Sequence, residues 1–215
     1  MSKKTIAVLG AVPGLGNHIG KEFGNHGFRV VLMARREDAL KNYVRELEEM
    51  GIEADCHVVD CSDNDSIKTA LAAISQKYGG IDVLAYNTAF LQGGSPLELT
   101  PEELVKRYQV DVAGALCAVQ QVVPHMKEQK EGAILFTGGG LALDPMPAFL
   151  SISVHKAALR ALAAALCKEL SGDGIYTGIV NVKGNIGSDD YYSPARIAAL
   201  FYQLYEKRNE TEITY

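Results

Sequence analysis

Leu9-Gly10-Ala11-Val12-Pro13-Gly14-Leu15-Gly16 lies between an apolar run, Thr5-Ile6-Ala7-Val8-Leu9, and a segment of helical character, Asn17-His18-Ile19-Gly20-Lys21-Glu22-Phe23. The order strand, glycine turn, helix leaves the first N–H groups of the helix without partners, where an anion completes them. Gly10 permits the tight turn, Gly14 lets backbone approach a pyrophosphate, and Gly16 lets the helix pack near the strand. The stretch therefore points to a bound dinucleotide, with Val12 and Leu15 completing the lining of the turn. A bare glycine pattern is otherwise an ordinary loop. Here a legible strand precedes it and a legible helix follows.

Outward from the turn, apolar strands alternate with helix-length amphipathic segments. Strands are expected at 5–9, 28–33, 53–59, 81–86, 132–137 and 176–182. Several are rich in Val and Ile with little polar alternation, the pattern of strands buried on both faces of a parallel sheet. Helices are expected near 14–25, 37–50, 64–78, 101–126, 152–170 and 193–208. Gly27 and Gly51 stop two of them at positions suited to positive φ. Asp63 is placed to cap a third. Thr100-Pro101-Glu102-Glu103 sets a cap, a first-turn proline and two acids against a helix dipole. Together these predict an α/β fold: one domain over residues 1–215, with three layers and a doubly wound parallel sheet. Residues 184–193 read as a loop.

The composition narrows the function classes. A chain of 215 residues with 47% hydrophobic and 22% charged residues suits one domain with a sizeable core. The net charge of -5 offers no basic surface for nucleic acid. Cys56, Cys61, Cys117 and Cys167 are scattered, with no Cys-x-x-Cys pair and no metal-ligand spacing to a histidine. Cys56, Cys117 and Cys167 sit in apolar patterns and are expected to be buried free thiols, which suits a reducing compartment. No uninterrupted apolar run reaches the length of a membrane span, and the start leads directly into a strand, so the expected location is cytoplasmic.

With these elements in place the chain resembles the short-chain dehydrogenase/reductase family, from Thr5 to about Gly187. Gly10, Gly14 and Gly16 match its Gly-x-x-x-Gly-x-Gly turn, and the resemblance implies its Rossmann fold. Where members that use NAD carry an acid after the second strand, this chain has Ala34, followed by Arg35-Arg36. A guanidinium pairs with a 2′-phosphate that an acid would repel, so NADP(H) is favoured over NAD(H). The alternative for this pair is a solvated helix start, which dipole logic disfavours. Asp60 resembles the adenine-binding aspartate, with the Cys61 N–H reaching the ring. Of the family's Asn-Asn-Ala-Gly only Asn87 is retained. Gly184 stands in its Pro-Gly, and Ile186 lies where a backbone N–H meets the carboxamide.

The resemblance weakens at the catalytic set. Lys156 matches the family's lysine. The tyrosine four residues earlier is Ile152, the serine position falls on Gly139, and the asparagine position holds Asp111. His155, beside Lys156, titrates in a useful range but points about 100° around the helix from it. It is expected to be an exposed or packed helix residue. Asp111 is open to two readings, a general base raised by burial or a partner of Lys156. Gly138-Gly139-Gly140 is expected to vacate side-chain volume beside the cleft, and the loop at 184–193 to form a shortened lid.

Two functions follow as expectations. One is an NADP(H)-dependent oxidoreductase with an atypical site, acting on a small molecule. The other is a non-catalytic NADP(H)-binding protein, a sensor or partner subunit. The resemblance also implies a homodimer or homotetramer through the helices near 104–126 and 157–170, with neither nucleic acid nor membrane as partner.

Overall fold

The computed structural model describes residues 3–11 and 13–215; the expectation at Val12 lies outside the described residues. Seven parallel strands form one sheet in the order β3-β2-β1-β4-β5-β6-β7. They are β1 Thr5–Leu9, β2 Arg29–Ala34, β3 Ala54–Val58, β4 Val83–Tyr86, β5 Gly132–Thr137, β6 Ile175–Asn181 and β7 Glu212–Thr214. Strands β1, β4, β5 and β6 are buried along their whole length, as their unbroken apolar runs require. The order reverses between β1 and β4, which opens a crevice at the carboxyl ends of those two strands.

Helices cover both faces. On one side α1 (Leu15–Asn25), α2 (Glu37–Glu49) and α7 (Pro194–Lys207) enclose a core that includes Ile19, Phe23, Leu32, Leu40 and Phe201. On the other, α3 (Asn64–Tyr78), α5 (Gly114–Gln129) and α6 (Leu150–Leu170) bury Leu71, Tyr86, Val122, Phe136 and Leu159. The caps fall where the side chains predict them. Asp63 accepts from the Asp65 N–H, Thr100 accepts from the Glu103 N–H, and Gly27 and Gly51 take φ of 86° and 77°.

Two expectations need correction, and two features add to them. The segment 101–126 is helical throughout but not one regular α-helix: α4 (Pro101–Tyr108) passes through a π-helical turn, Gln109–Ala113, before α5 begins. β7, three residues long, carries too little pattern to be read, and it is held by backbone pairing to β6. Cys56 and Cys167 are only half-buried, whereas Cys61 and Cys117 are buried; all four are free. Cys56 lies on edge strand β3 and so lacks a strand on one side. Finally, Pro147–Asp173 is long and apolar enough to cross a bilayer by length and composition. Its inner face, which includes Ile152, His155, Lys156, Leu159 and Ala163, is nonetheless buried within this fold.

Candidate active site

The turn after β1 is held by tight backbone packing. The N–H groups of Gly10 and Ala11 both donate to the Met33 carbonyl, at 2.9 and 3.1 Å. Gly10 has φ of 86°, and a Cβ there would lie 2.7 Å from the Asn87 carbonyl oxygen. A Cβ on Gly16 would come within 2.2 Å of the Gly10 oxygen. Gly14 differs: its φ of 113° favours glycine, but a Cβ would meet nothing within 4 Å. Gly10 and Gly16 are thus packing glycines, and Gly14 borders open space. Gly14 is also the N-cap of α1, with no side-chain cap and no acid in the first turn. The helix therefore offers uncapped N–H groups and no competing anion, and these residues fit a pyrophosphate.

Arg35 and Arg36 follow β2 and are exposed, and neither forms an ion pair among the described residues. Arg35 lies close enough to Asp60 to lower its pKa. The larger causes are the Ser62 backbone N–H and hydroxyl, which donate to Asp60 Oδ1 at 2.9 and 2.7 Å. Asp60 thus shapes a local turn and faces a guanidinium as well. Cys61 is buried next to Tyr86, and burial pushes its thiol up to about 11, so it is inert at neutral pH. Tyr86 is a core residue whose hydroxyl donates to the Val110 carbonyl at 2.6 Å.

Asn87 joins the turn to the far side of the crevice. Its Nδ2 donates to the Gly10 carbonyl at 3.0 Å, and its Oδ1 accepts from the Thr137 hydroxyl at 2.7 Å. The Thr137 carbonyl in turn accepts from Lys156 Nζ at 2.6 Å. A continuous polar chain therefore runs from the glycine turn across β4 and β5 to α6. Lys156 is 4% exposed, and burial pulls its ammonium down to about 8, with the Asp111 carboxylate acting in the opposite direction.

Asp111 does not pair with Lys156. Its Oδ2 bonds His155 Nδ1 at 2.8 Å, and its Oδ1 accepts from the Phe90 N–H at 2.8 Å. Asp111 and His155 are both fully buried. Tyr108 stands edge-on to the imidazole at 5.7 Å between centroids. The π turn carries Asp111, and such turns often mark functional sites. The sequence signalled only that Asp111 needs a partner once buried; with His155 and Lys156 adjacent on α6, the choice between them is made by the fold.

Ile152 is 2% exposed and has no proton to give. The run at 138–140 is not empty space. A Cβ on Gly138 would sit 2.0 Å from Asn181 Oδ1, and one on Gly140 2.9 Å from Lys183 Cα. Only Gly139 has room, where a Cβ would contact the Lys156 stem at 3.5 Å. Gly184 packs against the Tyr192 ring, and Ile186 is exposed in the same loop. Tyr191 stacks on Tyr215 at 4.4 Å, which ties the loop to the segment after β7.

The sequence profile of the short chain dehydrogenase family matches residues 4–186. The chain belongs to this family. It is 31% identical over 193 residues to a short chain dehydrogenase of Pseudocercospora fijiensis, covering 87% of this chain and 62% of that protein. It is 26% identical over 167 residues to short-chain dehydrogenase/reductase 3 of Homo sapiens, covering 77% and 55%. The chain thus spans less than two thirds of the length of both relatives. Among solved structures, a metagenomic short-chain oxidoreductase in complex with NADP superposes with a TM-score of 0.90 at 24% identity, covering 100% of this chain and 97% of that one. That likeness establishes the shared fold.

Proposed function

We propose that this protein is an NADP(H)-dependent oxidoreductase of the short-chain type, acting on a small carbonyl or alcohol through an atypical catalytic wall. The observation that carries the reading is the uncapped glycine turn at Gly10, Gly14 and Gly16, with Arg35 after β2 forming no ion pair among the described residues. In this reading Leu15 and Gly16 supply N–H groups to the pyrophosphate. Arg35 and Arg36 take the 2′-phosphate, and Asp60 and Cys61 frame the adenine. Asn87, Lys156, Gly184 and Ile186 border the nicotinamide half. A bound nicotinamide dinucleotide supplies or accepts the hydride.

Lys156, Ile152, Gly139 and Asp111 occupy the family's lysine, tyrosine, serine and asparagine positions. Ile152 and Gly139 have no side-chain proton, and Lys156 Nζ already donates to the Thr137 carbonyl. Solvent is therefore the proposed proton source, admitted by a shortened lid at 184–193. Exposed Ala157, Ala161, Ala164 and Ala165 on α6 support close approach of a second copy, and the free thiols support a cytoplasmic setting.

A second reading, a non-catalytic NADP(H) sensor or partner subunit, is favoured by one observation, the burial of Ile152 at the tyrosine position. The two part in one experiment. NADPH binding is measured by fluorescence, with Arg35→Ala expected to weaken NADPH by about tenfold and NADH hardly at all. NADPH oxidation is then followed with a panel of carbonyls and enones, in the wild type and in the double variant Gly139→Ser, Ile152→Tyr. Turnover in the wild type supports the enzyme, and turnover in the double variant alone supports the sensor. Absence of NADPH binding overturns both.

A further inference from the structure

Between α4 and α6 lies a cleft of about 240 Å³, lined by Gly93, Glu98, Leu99, Glu103, Arg107 and Ser151 among others. Its walls are fixed. The Gly94 N–H donates to the Ala148 carbonyl at 2.9 Å, which ties the loop after β4 to the segment before α6. Gly93 packs so closely there that a Cβ would sit 3.1 Å from the same oxygen. The cleft wall at Ser151 adjoins Ile152 in sequence, and Lys156 follows one helical turn later.

Arg107 is the unusual member of this wall. It is 8% exposed, yet it donates no hydrogen bond among the described residues. Its nearest carboxylate is that of exposed Glu103, at 3.9 Å, beyond hydrogen-bond reach. Its guanidinium lies 5.1 Å from the Phe90 ring centroid, which holds the plane of the group without satisfying a single N–H. None of its nitrogens is sealed from solvent, so the open side is the cleft. Ser151 stands in the same wall, but its Oγ is sealed from solvent, so it stays behind the cleft surface. The guanidinium N–H groups of Arg107 are thus left to solvent in the cleft, and five donors in a rigid plane match a carboxylate.

We propose that this cleft is a carboxylate subsite, with Arg107 as counter-ion, and that it selects small oxo acids as substrates. The use made of the bound oxo acid rests on the oxidoreductase reading; the binding itself does not. The volume lies below the range of ordinary ligand pockets and admits only a short chain. Glu98 and Glu103 at the rim work against an anion and so set a modest affinity.

The test uses acetoacetate, with methyl acetoacetate as its uncharged match, added to full-length protein whose arginine side chains are labelled with nitrogen-15. Acetoacetate is expected to shift the Arg107 Nε–H resonance at millimolar concentration, and the ester to leave it in place. Arg107→Met is expected to weaken binding by at least about tenfold. Arg107→Lys, which keeps the charge and the stem, weakens it less and decides the matter if the methionine variant does not fold. Glu103→Gln is expected to tighten binding by about twofold to threefold, because it removes a competing carboxylate. A merely structural Arg107 predicts no such gain. Equal response to acid and ester, no response to either, or a loss with Glu103→Gln overturns the subsite. NADPH titration of the same samples reports separately on the cofactor reading, so the two fail independently.

Discussion

The glycine turn and the start of α6 face the same crevice and are built by opposite means. The turn works through backbone: uncapped N–H groups, one open glycine, and two glycines packed against neighbouring main chain. The α6 side works through side chains withdrawn from water, with His155 locked to Asp111 and Lys156 locked to a carbonyl. A phosphate needs only the first kind of construction. Proton transfer needs the second kind with at least one group left reachable, and here burial and pairing have taken those groups up. The comparison teaches that the construction proposed for cofactor capture and the construction that proton transfer needs are separable within one crevice, since the first rests on main-chain geometry alone.

The largest expected effect strikes the side-chain half. Asp111→Ala leaves His155 Nδ1 and the Phe90 N–H without an acceptor in a dry site. We expect a loss of about 4 kcal/mol in urea unfolding. A loss below about 1 kcal/mol would show that the pair contributes no more than ordinary packing.

Lys156 gives the next largest effect. Its folded value of about 8 lies below the ordinary 10.5. Between those values the unfolded chain binds more protons, so stability rises with pH across that window and the penalty is fully present below it. Lys156→Met abolishes this rise, which amounts to roughly 3 kcal/mol in the wild type. Parallel unfolding curves at neutral and alkaline pH read it; identical slopes for both proteins would mean that the ammonium is solvated.

The backbone half responds to sterics. Gly16→Ala forces a Cβ onto the Gly10 oxygen, and we expect about 2 kcal/mol less NADPH affinity, roughly thirtyfold. Gly14→Ala meets no atom and is expected to lose only about 1 kcal/mol, from its positive φ. Equal effects of the two would erase the distinction between packing and open glycines. The smallest expected effect is that of Gly139→Ser, within ~0.5 kcal/mol by thermal melting, because the new Cβ finds ordinary contact with Lys156. A larger loss would show that the spare volume is not there.

Much of the frame was legible in the chain. Unbroken Val and Ile runs, the glycine turn and capping residues such as Asp63 and Thr100 are local signals, and they fixed six of the seven strands and both helix layers. The rest is not local. The π turn hides because apolar residues on both sides continue a plausible helical period, while the extra residue shows only in backbone hydrogen bonds. β7 is too short to carry alternation. The His155–Asp111 pair spans 44 residues of sequence, and no spacing rule links them. Arg107 reads as one more charge on an amphipathic helix until the fold turns it inward.

The π turn between α4 and α5 acts as a phase adjuster. One residue more than a regular turn delays the screw by about 100°. That offset lets a single continuous rod present Arg107 to the cleft and Asp111 to the imidazole while α5 still lays its apolar stripe on the sheet. Excising one residue from Gln109–Ala113 would rotate the upstream rod relative to α5, so that either the cleft wall or the buried pair falls out of alignment.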